Sequence, residues 1–182
     1  MSIAHGSDGE AENFDWKKLY KENSPVLYGY LVKRVGQELG ADILQESFLR
    51  LFQVMDKNKR VDNPKAYLFQ IARNLVIKNF SRNYNTESAD LPVNIADKKA
   101  DSEAGLYKKE LQGLLESARQ TLSQTELEIY DLRWHHGFIQ KDIASILGKS
   151  ERQIRRDIEK IVHKIRDVFT AAGWRNEDMG IG

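Results

Sequence analysis

A chain of 182 residues with 41% hydrophobic and 30% charged side chains has room for one or two small soluble domains, and it is too apolar for a disordered polymer. It contains no cysteine, which excludes a disulfide framework and thiolate chemistry, and no apolar run approaches the length of a membrane span, so no membrane insertion is expected. The formal net charge is only +1, yet Lys57, Lys59, Arg60, Lys65, Arg73, Lys78 and Arg82 share a stretch with the single acid Asp62, and a second basic block covers 149–166, both masked in the total by acids at the N-terminus and in 87–103.

The opening segment, residues 1–13, is polar and acidic, is expected to be disordered, and does not resemble a signal peptide, which makes the cytoplasm the default compartment. Ser24-Pro25 predicts a helix start, with a capping hydroxyl and a proline whose missing amide proton costs nothing in a first turn, followed by an apolar face of Val26, Leu27, Tyr30 and Leu31. After Gly40 a helix is predicted from about Ala41 to Met55, with Leu44, Phe48, Leu51, Phe52 and Met55 turned inward. Ile43 and Leu49 are then expected to project outward among Asp42, Gln45, Glu46, Arg50 and Gln53. Such a mixed surface suits a partner interface, although single exposed aliphatic side chains are also common on ordinary surfaces. Asp56 to Asp62 reads as a polar loop, and Asn63-Pro64 starts a helix to residue 84 that turns Leu68, Ile71, Ala72 and Leu75 inward. Tyr67, Phe69, Phe80 and Tyr84 are interleaved with Arg73, Lys78 and Arg82; aromatic rings beside cations stack unpaired bases in some proteins and fill cores in more.

Residues 85–105 lose the apolar period, contain Pro92, and read as a flexible linker. Helical periodicity resumes at Leu106 through Leu111, Leu114, Leu115 and Ala118, and Ser123 to Glu126 offers a capping box before Leu127, Tyr130 and Trp134. The adjacent His135 and His136 point about 100° apart if helical and have no cysteine beside them, so they read as surface or packing residues, not metal ligands. Ile139, Ile143 and Leu147 form the stripe of a short helix, Gly148-Lys149 the turn, and Ser150 the N-cap of a second helix. That helix carries an apolar stripe of Ile154, Ile158, Ile161, Val162, Ile165 and Phe169. On the opposite arc stand Lys149, Arg152, Arg155, Arg156, Lys160 and His163, with Gln153 beside them and Glu151, Asp157 and Glu159 as the fewer acids. A short glycine-hinged pair with a basic second helix is the pattern of a helix-turn-helix that reads duplex DNA; a solvated amphipathic helix in a bundle is the plainer alternative.

The expected fold is therefore all-α, with two small helical domains, 14–84 and 106–172, joined by the linker 85–105, the C-terminal domain a helix-turn-helix, and 173–182 a frayed tail. No catalytic residue, metal ligand or cofactor is expected. Asp42 and Glu46 share a helix face, which leaves a recombinase or metal nuclease as a distant enzyme reading.

Three segments, in order, resemble the sigma-70-type initiation factors of bacterial RNA polymerase, in the compact extracytoplasmic-function group (group 4) that keeps only regions two and four. Ala41 to Phe52 looks like region 2.2, Asn63 to Asn74 like the entry into region 2.4, and Leu122-Ser123 through Arg166 like region four. The resemblance implies an alternative sigma factor that binds core polymerase through its beta-prime and beta subunits and directs promoter recognition, melting and initiation. It places Asp42, Ile43, Gln45, Glu46, Leu49, Arg50 and Gln53 on the clamp helices. It gives the minus-ten element to Lys57, Asn58, Lys59, Arg60, Lys65, Arg73, Asn74, Lys78 and Arg82, and the minus-thirty-five element to Lys149, Ser150, Arg152, Gln153, Arg155, Arg156 and Lys160. It also implies an anti-sigma partner covering these surfaces. Asp157, Lys149 and Gln140-Lys141 depart from the family pattern; Asp157 either accepts from cytosine amino groups or pairs with Arg155 or Lys160. The alternative is a free-standing helix-turn-helix regulator whose residues 14–84 sense a signal or dimerise.

Overall fold

The computed structural model describes residues 14–57, 60–84 and 106–174, with side chains except at 82–84 and 106–108. The expectations for 1–13, Asn58, Lys59, the linker 85–105, the side chain of Arg82 and the tail beyond 174 lie outside the described residues. Among those residues all regular structure is helical.

Helix α1 spans Trp16–Val35, and its start is set by Asp15, whose carboxylate accepts from Lys18 N at 2.8 Å. The start expected at Ser24-Pro25 does not occur, since the helix passes through Pro25. An interior proline loses one ladder bond and costs on the order of 3 kcal/mol. Packing on both sides offsets it: Leu27, Tyr30 and Leu31 are buried after the proline, while Trp16 and Tyr20 before it lie against Phe52 and Phe48 at ring separations of 5.0 and 4.8 Å.

The chain turns at Gly36, and α2 runs Gln37–Asp56. Gly40 therefore does not precede this helix but sits within it, facing α1, where an added Cβ would stand 3.4 Å from Val32 N and 3.5 Å from Leu31 Cβ. The buried line is Gly40, Ile43, Ser47 and Leu51, with Leu44, Phe48 and Met55 at its edges. This corrects the expectation for Ile43, which is 4% exposed, and for Phe52, which is 48% exposed. The inward stripe is displaced by one position because Ser47, polar in the sequence, is buried at its centre. Its hydroxyl donates to Ile43 O at 2.6 Å, so burial leaves no unsatisfied donor.

Helix α3, Pro64–Tyr84, starts where expected, with Asn63 Oδ1 accepting from Ala66 N at 3.1 Å. Helix α4 spans Leu106–Gln120 and α5 Gln124–Tyr130. The capping box is formed: Ser123 N donates to Glu126 Oε2 at 2.8 Å and Glu126 N to Ser123 Oγ at 3.3 Å. Without a break α5 widens into a π turn over Asp131–His135, where His136 N reaches Asp131 O at 3.1 Å. Trp134 is 45% exposed and stacks on Tyr130, not inward.

Helix α6, Gln140–Leu147, ends at Gly148, whose φ of 65° and ψ of 33° are left-handed and favour glycine. Helix α7, Glu151–Ala171, starts at Ser150, whose hydroxyl accepts from Gln153 N at 3.2 Å. Ile139 is 57% exposed instead of joining the stripe with Ile143 and Leu147, because it is the extended residue before α6 and lies off the helical period. The core is continuous across the chain: α3 packs on α6, and Phe69, Ala72 and Val76 belong to one apolar cluster with Ile129, Leu132, Phe138, Ile143 and Ile146.

Candidate nucleic-acid interface

Helix α7 carries an exposed cationic surface. Burial of Ile154, Ile161 and Phe169 fixes its rotation, and the 3.6-residue period then turns Arg152, Gln153, Arg155, Arg156 and Lys160 to solvent, all exposed. Gly148 turns the chain between α6 and α7 and Ser150 caps α7, whose first-turn residues 151–153 are exposed. Asp157 pairs with neither Arg155 nor Lys160. It lies 3.7 Å from Lys149 across the turn, with the two side chains 18% and 27% exposed. Lys149 and Asp157 thus pair with each other, and Arg152, Gln153 and Arg156 remain exposed polar groups.

The outer side of α2 exposes Asp42, Gln45, Leu49, Arg50 and Gln53, with Glu46 half-buried. Leu49 is 57% exposed. Glu46 Oε1 accepts from Arg50 Nε at 2.7 Å, an exposed pair one turn apart. Between this face and α3 lies a cleft of ≈ 480 Å³ lined by Glu46, Arg50, Gln53, Val54, Tyr67, Ile71 and Asn74. It joins residues expected to meet polymerase with Asn74, expected to meet DNA. Val54 had no assignment in the sequence and Tyr67 only that of a ring beside cations, because helical spacing alone did not bring α2 and α3 together.

The basic residues of 57–78 divide into two sets. Lys57, Arg60, Asn74 and Lys78 are exposed, Arg60 forming a solvent-facing pair with Asp62 at 3.7 Å. Lys65 and Arg73 face the C-terminal half instead. Lys65 Nζ donates to His136 O at 3.0 Å and lies 4.7 Å from the Phe138 ring centre. Arg73 is 9% exposed: its Nε and Nη2 donate to Glu128 Oε1 and Oε2 at 3.0 and 3.3 Å.

Arg73 belongs to a buried network with a second pair, Arg34 Nη2 to Asp131 Oδ2 at 3.2 Å. Arg34 also stacks over the Tyr30 ring at 3.5 Å, and the Tyr30 hydroxyl donates to Glu128 Oε1 at 3.2 Å. Burial raises the Tyr30 phenol well above its ordinary range, which keeps it a neutral donor. His135 Nδ1 and His136 Nε2 lie 3.2 and 3.4 Å from the two Asp131 oxygens. Burial pushes the Asp131 carboxyl up, but hydrogen bonds from His135 and His136 and the charge of Arg34 outweigh it and hold the group well below the usual carboxylate range. The sequence signal for this network was faint: Glu128 and Asp131 are acids inside the apolar run Leu127 to Leu132. Among the described residues no group of three or more His, Asp and Glu is placed to hold a metal, and no helix is long and apolar enough to cross a membrane.

Residues 19–86 match the family model for sigma-70 region 2. Among solved structures, the sigma factor RpoE of Bartonella quintana, solved in complex with the anti-sigma factor NepR, is similar with a TM-score of 0.58 and 20% sequence identity over 86% of this chain and 97% of that one, a likeness of fold. The RsbN–BldN complex contains a chain 24% identical over 88% of this chain and 94% of that one, at a TM-score of 0.31 that bears no weight on the fold. No curated protein matches the chain.

Proposed function

We propose that the chain, whose residues 19–86 match the family model for sigma-70 region 2, is an alternative sigma factor of the extracytoplasmic-function type. It joins bacterial core RNA polymerase, aligns it by two DNA contacts, and traps melted DNA at region two. The observation that supports the reading is the presence, on one chain with the region 2 match, of a second basic surface on a capped helix behind a glycine turn, the arrangement expected of a helix-turn-helix.

The proposed roles follow exposure. Asp42, Gln45, Glu46, Leu49, Arg50 and Gln53 dock on the polymerase clamp helices, with Ile43 supporting them from the core. Lys57, Arg60, Asn74 and Lys78, together with Asn58, Lys59 and Arg82, serve the minus-ten element, and Lys65 and Arg73 join them only when the C-terminal half moves away. Arg152, Gln153, Arg155, Arg156 and Lys160, aided by Ser150 and Lys149, serve the minus-thirty-five element in the major groove. Domains at 14–84 and 106–172 with a linker at 85–105 provide the reach between the two elements, and the work is cytoplasmic and non-catalytic. The Bartonella relative in complex with an anti-sigma factor supports a partner of that kind here.

The test is initiation on fragmented genomic DNA from the source organism, with core polymerase and the purified chain. New, discrete transcript starts that share an upstream sequence support the proposal. Starts identical to those of core polymerase alone, with tight duplex binding by the chain itself, favour a free-standing regulator.

A further inference from the structure

We infer that Asp157 is the fixed counter-charge of Lys149 and not a base-reading residue, so that the pair sets how strongly α7 holds duplex DNA and leaves the sequence to its neighbours. What α7 holds rests on the helix-turn-helix reading; the pair itself does not.

An acid in a helix that lies on DNA has two uses. It accepts from a cytosine amino group in the major groove, or it cancels a cation that would otherwise meet a phosphate. The first use needs a carboxylate on the outward arc of the helix, and Asp157 does not stand there. It follows Ile154 by three residues and precedes Ile161 by four, and both of those are buried, so the helical period sets Asp157 at the border of the apolar stripe. Arg152, Arg155, Arg156 and Lys160 stand in solvent. The Asp157 side chain is 18% exposed and that of Lys149 27%, with Oδ2 and Nζ 3.7 Å apart. A carboxylate so far withdrawn from water needs a cation beside it, and Lys149 supplies one.

Lys149 is held at both ends. Its backbone N donates to Ala144 O at 3.0 Å, which closes the end of α6 behind the left-handed Gly148, and its ammonium reaches the second turn of α7. The residue therefore braces the turn from one helix to the next, and its charge faces Asp157 instead of the surface that Arg152 and Arg156 present. Sequence-independent attraction to DNA grows with each cation that meets a phosphate. The pair withdraws one cation and one anion together from that surface, which lowers the attraction without altering the groups that face base edges.

The test uses the full chain and a mixed-sequence duplex, with affinity followed by fluorescence anisotropy as salt is raised. Asp157→Ala removes the carboxylate, adds no donor or acceptor and suits a helix interior. It should free Lys149 for one phosphate: binding at low salt tightens, and between about 50 and about 200 mM salt the variant loses about 3.5-fold more affinity than the unaltered chain, as one added contact at a slope of about 0.9 requires. Lys149→Met with Asp157→Ala should return the salt slope to that of the unaltered chain. The sequences enriched from a randomised duplex pool, by the chain with core polymerase, should be the same with Asp157 and with Asp157→Ala. An unchanged slope in the single variant, or a steeper slope that survives in the double variant, overturns the counter-charge role. Loss of a cytosine preference at one position in Asp157→Ala overturns the exclusion of Asp157 from base reading. Failure of the helix-turn-helix reading appears separately, as duplex binding that Arg152→Ala with Arg156→Ala leaves unchanged, and it removes the proposal with it.

Discussion

Arg152 and Arg156 stand four residues apart on α7 and so project from the same exposed face. Neither is drawn into the Lys149–Asp157 pair. Changing both to alanine should weaken binding to the upstream promoter element, by about 1–3 kcal/mol for each bidentate hydrogen-bonded pair with a base that is removed, and leave affinity for core polymerase unchanged. Undiminished promoter binding by the double variant would remove them from that role. At the same scale, Asp131 is faced by Arg34, His135 and His136, with Glu128, Arg73 and Tyr30 beside them. Its carboxyl is held below the value of about 3.8–3.9 expected in an unfolded chain, so its contribution to the folded state is present above that range and is lost only as pH falls through the depressed value. The destabilisation by Asp131→Asn should thus be the same at about pH 7 and about pH 5 in thermal unfolding, and a difference between variant and unaltered chain that vanishes by about pH 5 would contradict it. The position of Arg73 was not legible from composition: a cation in a basic stretch reads as a phosphate contact until its acid, 55 residues away, is brought to it.

At the level of elements, helix starts written in local side chains were readable and those set by packing were not. Asn63, Ser123 and Ser150 each cap the helix that the sequence assigns to them, because a capping bond spans three residues. Ser123→Ala should lower stability by about 1 kcal/mol in urea unfolding, since it removes one arm of the capping box; an unchanged midpoint would contradict that. Pro25 misled because the aromatic contacts of Trp16 and Tyr20 with α2 are long-range. The stripe of α2 was displaced because a buried serine that satisfies itself within the helix is polar in sequence and apolar in effect. Leu49 was placed correctly at the surface, while its companion Ile43 was not. Leu49→Asp should abolish association with core polymerase at unchanged thermal midpoint; a folded variant that still associates would remove Leu49 from the interface.

For the whole molecule, an all-helical architecture was legible from apolar periods alone, since the described elements all carry a 3.6-residue stripe or a recognisable cap. The way the halves meet was not, because Arg34, Tyr30, Glu128 and Asp131 are scattered over about a hundred residues and only the fold assembles them. The central proposal is that this chain works by joining core RNA polymerase, and the direct measurement is co-elution of the purified chain with the bacterial core enzyme. The account predicts a stable one-to-one complex that is lost with Leu49→Asp and kept with Arg152→Ala and Arg156→Ala. A folded chain that passes through separately from core polymerase, while binding duplex DNA tightly by itself, would contradict it.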